Sequence, residues 1–338
     1  MKPWPEIRKL LRPAHKEASE KEKKIGIALG SGSARGLAHI GVLKVLEANK
    51  IPINYIAGSS MGALIGALYA SGLSVQQLDD IACNADWKLT AKMFTPTLPW
   101  NGLVSGNRIR DFIKTLVGDI NINDLKIPYA AVATDVNTGE KIVIQQGSLV
   151  EAIRASISIP GVFTPVQYGG RFLVDGGVAN PVPVDVIKSM GADIVIAVNV
   201  RPSLEPALQN IVLPDETPKK QKQQDLTATV LNTSLARYVK YKVDTSPVVT
   251  FVDHISEKKE ALGKKFSGPN IVETIMQSVG IMENEIIQLR FENSPPDILI
   301  KPAVEDYKLM DFTKANELID LGEKAAEDAL PLVRQKTA

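Results

Sequence analysis

Histidine is nearly absent from this chain of 338 residues, which contains only three: His15, His39 and His254. His15 falls in a charged arm, His39 inside a run with helical spacing, and His254 in a polar stretch. None stands at the end of a core strand, where the histidine of a Ser-His-Asp triad belongs. Cysteine is scarcer still. Cys83 has no partner for an internal disulfide and no companion for a metal cluster, and its residue type places it in the core. No run of about 18 apolar residues is long enough to span a membrane. The first residues, MKPWPEIRKLLRPAHKEASEKEKK, lack the apolar segment of a secretory signal. Neither sign of charge dominates, since 39 Lys and Arg face 38 Asp and Glu for a net +1. With both signs spread along the chain, nucleic acid is a poor candidate partner. These absences lead us to expect a soluble, cytoplasmic protein.

What is present is alternation. Ile25 to Leu29 is a short apolar run between lysines and glycine, as in a strand buried on both faces of a parallel sheet. Leu37 to Ala48 shows helical spacing, Pro52 marks its exit, and Ile53 to Ala57 forms the next strand. Two strands joined by a helix make a right-handed βαβ unit. Strands follow at Pro128–Thr134, Lys141–Gln145, Phe172–Val174, Asp193–Asn199 and Asp297–Lys301, and helices at Leu149–Ser156, Asn270–Phe291 and Phe312–Leu330. The pattern is that of a layered α/β fold with a mainly parallel sheet.

Residues 1–24 form a charged arm. Trp4, Ile7, Leu10 and Leu11 among Arg8, Lys9 and Arg12 fit an interfacial helix, whereas Glu17, Glu20 and Glu22 fit a solvated arm. Residues 25–201 carry the core, and residues 202–268 are a polar, Lys- and Gln-rich insertion. Leu226, Val230, Leu231 and Leu235 share one helical face within it, so a lid, a dimer contact and a membrane-docking element all remain open. Residues 269–338 complete the core with a helix, a strand and a helix.

Gly58-Ser59-Ser60-Met61-Gly62 matches G-x-S-x-G and lies between an apolar strand and a helix-forming run. A serine at such a turn stands exposed at the carboxyl end of its strand. The N-terminus of the helix that follows favours negative charge developing there. A tight packing turn, with glycines serving contact alone, is the other reading. With histidine so scarce, a nucleophilic Ser60 needs a carboxylate as its base, and a carboxylate is feeble unless desolvated. Asp175 has that setting, after the apolar Phe172-Leu173-Val174 and before Gly176 and Gly177; an ordinary Asp-Gly turn is the alternative. The loop Gly30-Ser31-Gly32-Ser33-Ala34-Arg35-Gly36 aims backbone N–H groups outward and suits an oxyanion or a phosphate. A dinucleotide is disfavoured, because Arg35 replaces the third glycine of G-x-G-x-x-G and no acidic residue ends the second strand. No cofactor is expected, and no carboxylate spacing calls for a metal.

Taken in order, these three motifs resemble the patatin-like phospholipases, which carry a glycine-rich oxyanion loop ending in Arg-Gly, a G-x-S-x-G elbow and an Asp-Gly-Gly or Asp-Gly-Ala motif. ARGLAHIGVLKVLE, SGNRIRDF, ATDVNTGE, IRASISIPGVFTPV and DGGVANPVPV are similar to blocks of the bacterial members. The resemblance covers Lys24 to Val200 and resumes from Asp297 to Leu330. It implies a three-layer α/β/α fold and a Ser60–Asp175 dyad that hydrolyses phospholipid or lysophospholipid esters through an acyl-enzyme. The oxyanion would be held by backbone N–H groups of Ser31, Gly32, Ser33, Ala34, Arg35 and Gly36, with Arg35 bracing the loop. The partner it implies is a lipid or acyl-ester substrate, with peripheral membrane contact and a homo-oligomer both left open. Acyl thioesters or short-chain esters are the close alternatives, and a non-catalytic lipid-binding scaffold is the distant one. The family usually has glycine where this chain has Ser31 and Ser33. If either position needs a positive φ, serine there costs on the order of 1 kcal/mol.

Overall fold

The structure, a computed structural model, describes residues 23–84, 106–202 and 271–337. Most of the charged arm and of the polar insertion lies outside the described residues, as do His15 and His254.

Eight strands form one sheet in the order β5-β6-β3-β2-β1-β7-β8, with β4 paired to β3. β1 (Ile25–Leu29), β2 (Tyr55–Ser59), β3 (Tyr129–Asp135), β7 (Ile194–Val198) and β8 (Ile298–Ile300) pair in parallel. β4 (Lys141–Ile144), β5 (Val166–Tyr168) and β6 (Arg171–Asp175) add an antiparallel end. The central strands are apolar on both faces because helices cover both. On one face Ile25, Ile27 and Leu29 join the larger core, which includes residues of α1 (Ala38–Ala48), α2 (Met61–Ala70), α3 (Val75–Asn84), α4 (Gly106–Val117), α5 (Leu149–Ser156) and α8 (Ala315–Thr337). On the other face Ala28, Ala57, Ala130 and Val132 pack with Val184, Val186 and Ile187 of α6 (Val184–Ser189) and with Ile287 of α7 (Ile271–Asn293). The result is the expected three-layer α/β/α arrangement.

Several boundaries differ from the sequence reading. The second strand starts at Tyr55 rather than Ile53 because Asn54 is spent on pairing: its N–H donates to the Ile25 carbonyl at 2.7 Å, and its Oδ1 accepts from the Ile25 N–H at 2.7 Å. Phe312–Lys314 is a 3-10 turn, and the last helix continues through Pro331 to Thr337. Cys83, expected in the core, packs half-buried against its edge, with Asp79 and Asn316 oxygens within hydrogen-bond reach of its thiol.

The register along β3 positions the site. Ala131 and Val132 pair with β4 and also with β2, while Ala133 and Thr134 pair with β4 and also with β6. A strand has two edges, so β2 and β6 must follow one another along the edge opposite β4. The end of β2 therefore meets the end of β6, with Ser59 opposite Val132 and Asp175 opposite Ala133.

The large-core face is closed by a backbone contact between α1 and α8. A Cβ added to Gly322 would lie 1.9 Å from the Ala38 carbonyl oxygen, and one added to Gly41 would lie 2.0 Å from that of Ile319. Gly322→Ala should therefore force the two helices apart and lower stability by about 2 kcal/mol. Thermal or denaturant unfolding reads this directly, and an unchanged midpoint would contradict the close packing.

Candidate active site

Ser60 sits between the last residue of β2 and the first of α2, with φ 55° and ψ −122°. A non-glycine residue in such a conformation costs about 1–3 kcal/mol and persists only where its surroundings impose it. Here its N–H donates to Ser156 Oγ at 3.0 Å, and Ser156 in turn donates to the Val132 carbonyl at 2.6 Å. The Ser60 carbonyl accepts from the N–H groups of Ala63 and Leu64. The flanking glycines are required by close approach: a Cβ at Gly58 would lie 2.3 Å from the Gly62 oxygen, and one at Gly62 would lie 2.2 Å from the Leu29 oxygen.

The Ser60 hydroxyl donates to Asp175 Oδ2 at 2.6 Å across 115 residues of sequence. Asp175 is buried, and its other oxygen accepts the Gly177 N–H at 2.8 Å. Its main chain is fixed on both sides, the N–H donating to the Ser158 carbonyl and the carbonyl accepting Thr134 Oγ1. Gly176 is forced, since a Cβ there would lie 2.1 Å from the Val132 oxygen. Burial pushes the Asp175 carboxyl up to about 6, against the opposing pull of the Ser60 hydroxyl, the Gly177 N–H and the Arg201 charge.

The glycine-serine loop reaches the same place. Ser33 has φ 51°, so one of the two serines does occupy a position that favours glycine, whereas Ser31 does not. The N–H groups of Ser31, Ala34 and Arg35 are already spent on the Pro181, Leu309 and Gly32 carbonyls. Gly36 lies inside the 3-10 turn Ser33–Leu37. The N–H groups of Gly32 and Ser33 have no hydrogen-bond partner among the described residues. The Arg35 guanidinium donates through Nε to the Tyr307 carbonyl at 2.6 Å, tying the loop to the segment ahead of α8. His39 is buried beneath the loop with Nε2 2.8 Å from the Gly30 oxygen, and burial lowers it to about 4. It is a neutral packing residue that holds the loop.

Two residues absent from the sequence reading complete the surroundings. Arg201, after β7, and Glu283, in α7, form a buried ion pair, and Glu283 Oε2 also accepts the Ser31 hydroxyl at 3.1 Å. Arg201 follows an apolar strand and Glu283 lies in a helix with several other polar residues, so neither stood out in the sequence.

Two cavities meet at Ser60, each also lined by Ser33 and Ile159. One, of about 110 Å³, is walled by Leu37, Leu64, Leu68, Phe112 and Phe163. The other, of about 20 Å³, is lined by Asp175, Arg201 and Glu283. No helix among the described residues is long and apolar enough to cross a membrane.

This layered fold is shared with a solved structure. VipD from Legionella pneumophila superposes with a TM-score of 0.51 at 11% identity, covering 91% of this chain and 67% of that one. The patatin-like phospholipase profile matches residues 27–188. An uncharacterized NTE family protein of Mycobacterium tuberculosis is 30% identical over 344 residues, 91% of each chain. Neuropathy target esterase sws of Drosophila melanogaster is 30% identical over 88% of this chain, which spans only 19% of that protein. The chain belongs to the patatin-like phospholipase family.

Because burial lifts the Asp175 carboxyl to about 6, the folded chain holds this proton more tightly than the unfolded chain does. The group therefore favours folding most at about pH 4 and below, and increasingly opposes it as pH rises to about 6 and beyond. Asp175→Asn should stabilise the fold at pH 8 by on the order of 2–3 kcal/mol, with the difference vanishing towards about pH 4. Any reaction that uses Asp175 as a base should rise with pH through about 6. Identical melting curves for the two proteins at both pH values would contradict the shift.

Proposed function

We propose that this protein is a serine acyl hydrolase that cleaves carboxylic esters of phospholipids or lysophospholipids. The observation that carries this reading is the 2.6 Å hydrogen bond from Ser60 to a buried carboxylate where an apolar and a polar cavity meet. Asp175 takes the Ser60 proton as Oγ attacks the ester carbonyl. Desolvation makes the carboxylate a stronger base than it is in water, which is what a dyad without histidine requires. The N–H groups of Gly32 and Ser33 receive the developing oxyanion, a contribution of about 3 kcal/mol per donor in a comparable hydrolase. Asp175 then returns the proton to the leaving alcohol, and water hydrolyses the acyl-enzyme.

The apolar cavity suits an acyl chain, since its walls are aliphatic and aromatic side chains that also belong to or pack on the core. Family membership supports the lipid substrate, and the esterase name of the Drosophila relative supports ester cleavage. Ser60 and Asp175 act as one unit in this scheme, so removing either should cost nearly as much as removing both.

A fluorophosphonate probe should label the wild-type protein on Ser60. Ser60→Ala should abolish labelling and lower ester turnover by roughly 10³-fold or more while remaining folded. Hydrolysis of a lipid panel, with products identified by mass spectrometry, then defines the substrate. Folded wild type that neither labels nor releases fatty acid would leave a lipid-binding scaffold as the better description.

A further inference from the structure

Hydrolysis of an acyl-Ser60, as the reading above requires, needs a water molecule within reach of both the carbonyl carbon and Asp175. The small cavity offers that place. Its volume is about 20 Å³, just above the roughly 10–15 Å³ that one water needs. It is lined by Ser60, Asp175, Arg201 and Glu283, with apolar walls from Ile159 and Val279.

Arg201 shows what the cavity lacks. Its side chain is buried and its Nη2 is spent on Glu283. Its Nε has no hydrogen-bond partner among the described residues. A buried N–H without an acceptor is costly, by about 1–3 kcal/mol, and a water oxygen supplies one. A water that accepts from Nε–H and donates to the Asp175 carboxylate keeps a lone pair free for attack. An anionic head group does not fit as well. Two carboxylates, Asp175 and Glu283, outnumber the single guanidinium.

We propose that Arg201, anchored by Glu283, seats the water that hydrolyses acyl-Ser60 in this cavity. In this step the water oxygen bonds to the acyl carbon and one of its protons passes to Asp175. As the tetrahedral intermediate collapses, the bond from the acyl carbon to Ser60 Oγ breaks, Asp175 gives the proton to Oγ, and the fatty acid leaves. Water is the only co-reactant. In the first half of the cycle Arg201 acts only through its charge on Asp175, so a variant that keeps the charge and loses the Nε donor separates the two halves.

The test uses the full chain and a soluble activated ester, p-nitrophenyl butyrate. Acylation is read from first-turnover release of nitrophenol, and deacylation from the decay of the isolated acyl-enzyme by intact-protein mass spectrometry. Arg201→Lys keeps the charge but loses the Nε donor. It should slow deacylation by about tenfold or more while leaving acylation within about threefold, so that acyl-enzyme accumulates. The double variant Arg201→Met/Glu283→Gln removes both buried charges together and keeps an acceptor for the Ser31 hydroxyl; assayed at high pH to keep Asp175 ionised, it should show the same split if Arg201→Lys folds poorly. Equal loss in both steps, or no loss in either, overturns the water site while leaving the Ser60–Asp175 reading intact. Wild type that never acylates Ser60 overturns both.

Discussion

One edge of β3 serves two strands in succession, and the site depends on that sharing. β2 runs parallel to β3 and stops at Ser59, and β6 enters antiparallel and ends at Asp175 on the neighbouring rung. Two strand ends that approach along a common edge bring their terminal residues together without any loop having to hold them. The residue after one strand and the last residue of the other are then within hydrogen-bond reach. Val132 and its neighbours act as the ruler: the Val132 oxygen accepts the Ser156 hydroxyl that holds the Ser60 N–H, and it lies where any side chain on Gly176 would intrude. A side chain at Gly176 would therefore disturb the dyad through the backbone.

This arrangement opposes stability in two ways. Ser60 is held in an unfavourable backbone conformation, and Asp175 is kept away from water with only partial compensation. The surrounding fold tolerates both because the strands beneath them are fully buried and helices cover each face. The same desolvation makes a carboxylate an effective base. A histidine would not need it, since its ordinary value already lies near neutrality. Among the described residues the one histidine, His39, is neutral, buried and engaged with the Gly30 carbonyl. In the proposed reaction, scarcity of histidine and burial of Asp175 are two sides of one chemical solution.

Much of this was legible in the sequence, for reasons that differ by residue. The elbow could be read because G-x-S-x-G lay between an apolar strand and a helix, and Asp175 because glycines followed an apolar run. The strands of the parallel region were visible as short apolar runs, but β5 was not, being three residues long and half exposed. The antiparallel entry of β6 left no local trace, since pairing direction is set by where the chain returns. The glycine-serine loop could be read as a row of outward N–H groups, yet its six residues could not be ranked. Which N–H groups stay free depends on Pro181 and Leu309, carbonyls far away in sequence.

Arg201 and Glu283 were beyond reach for the same reason. Each alone reads as a surface charge, and only the packing of α7 beside the loop after β6 makes them a buried pair. A Cβ on Gly177 would lie 2.2 Å from Glu283 Oε1, so the second glycine of the Asp175 motif leaves room for this carboxylate. That gives the Gly-Gly pair two separate duties. Gly176 lets the chain pass over β3, and Gly177 admits the ion pair that flanks the base while lending Asp175 its N–H. Two glycines after an aspartate are, in three dimensions, a pair of clearances: one for the strand below and one for the helix beside it.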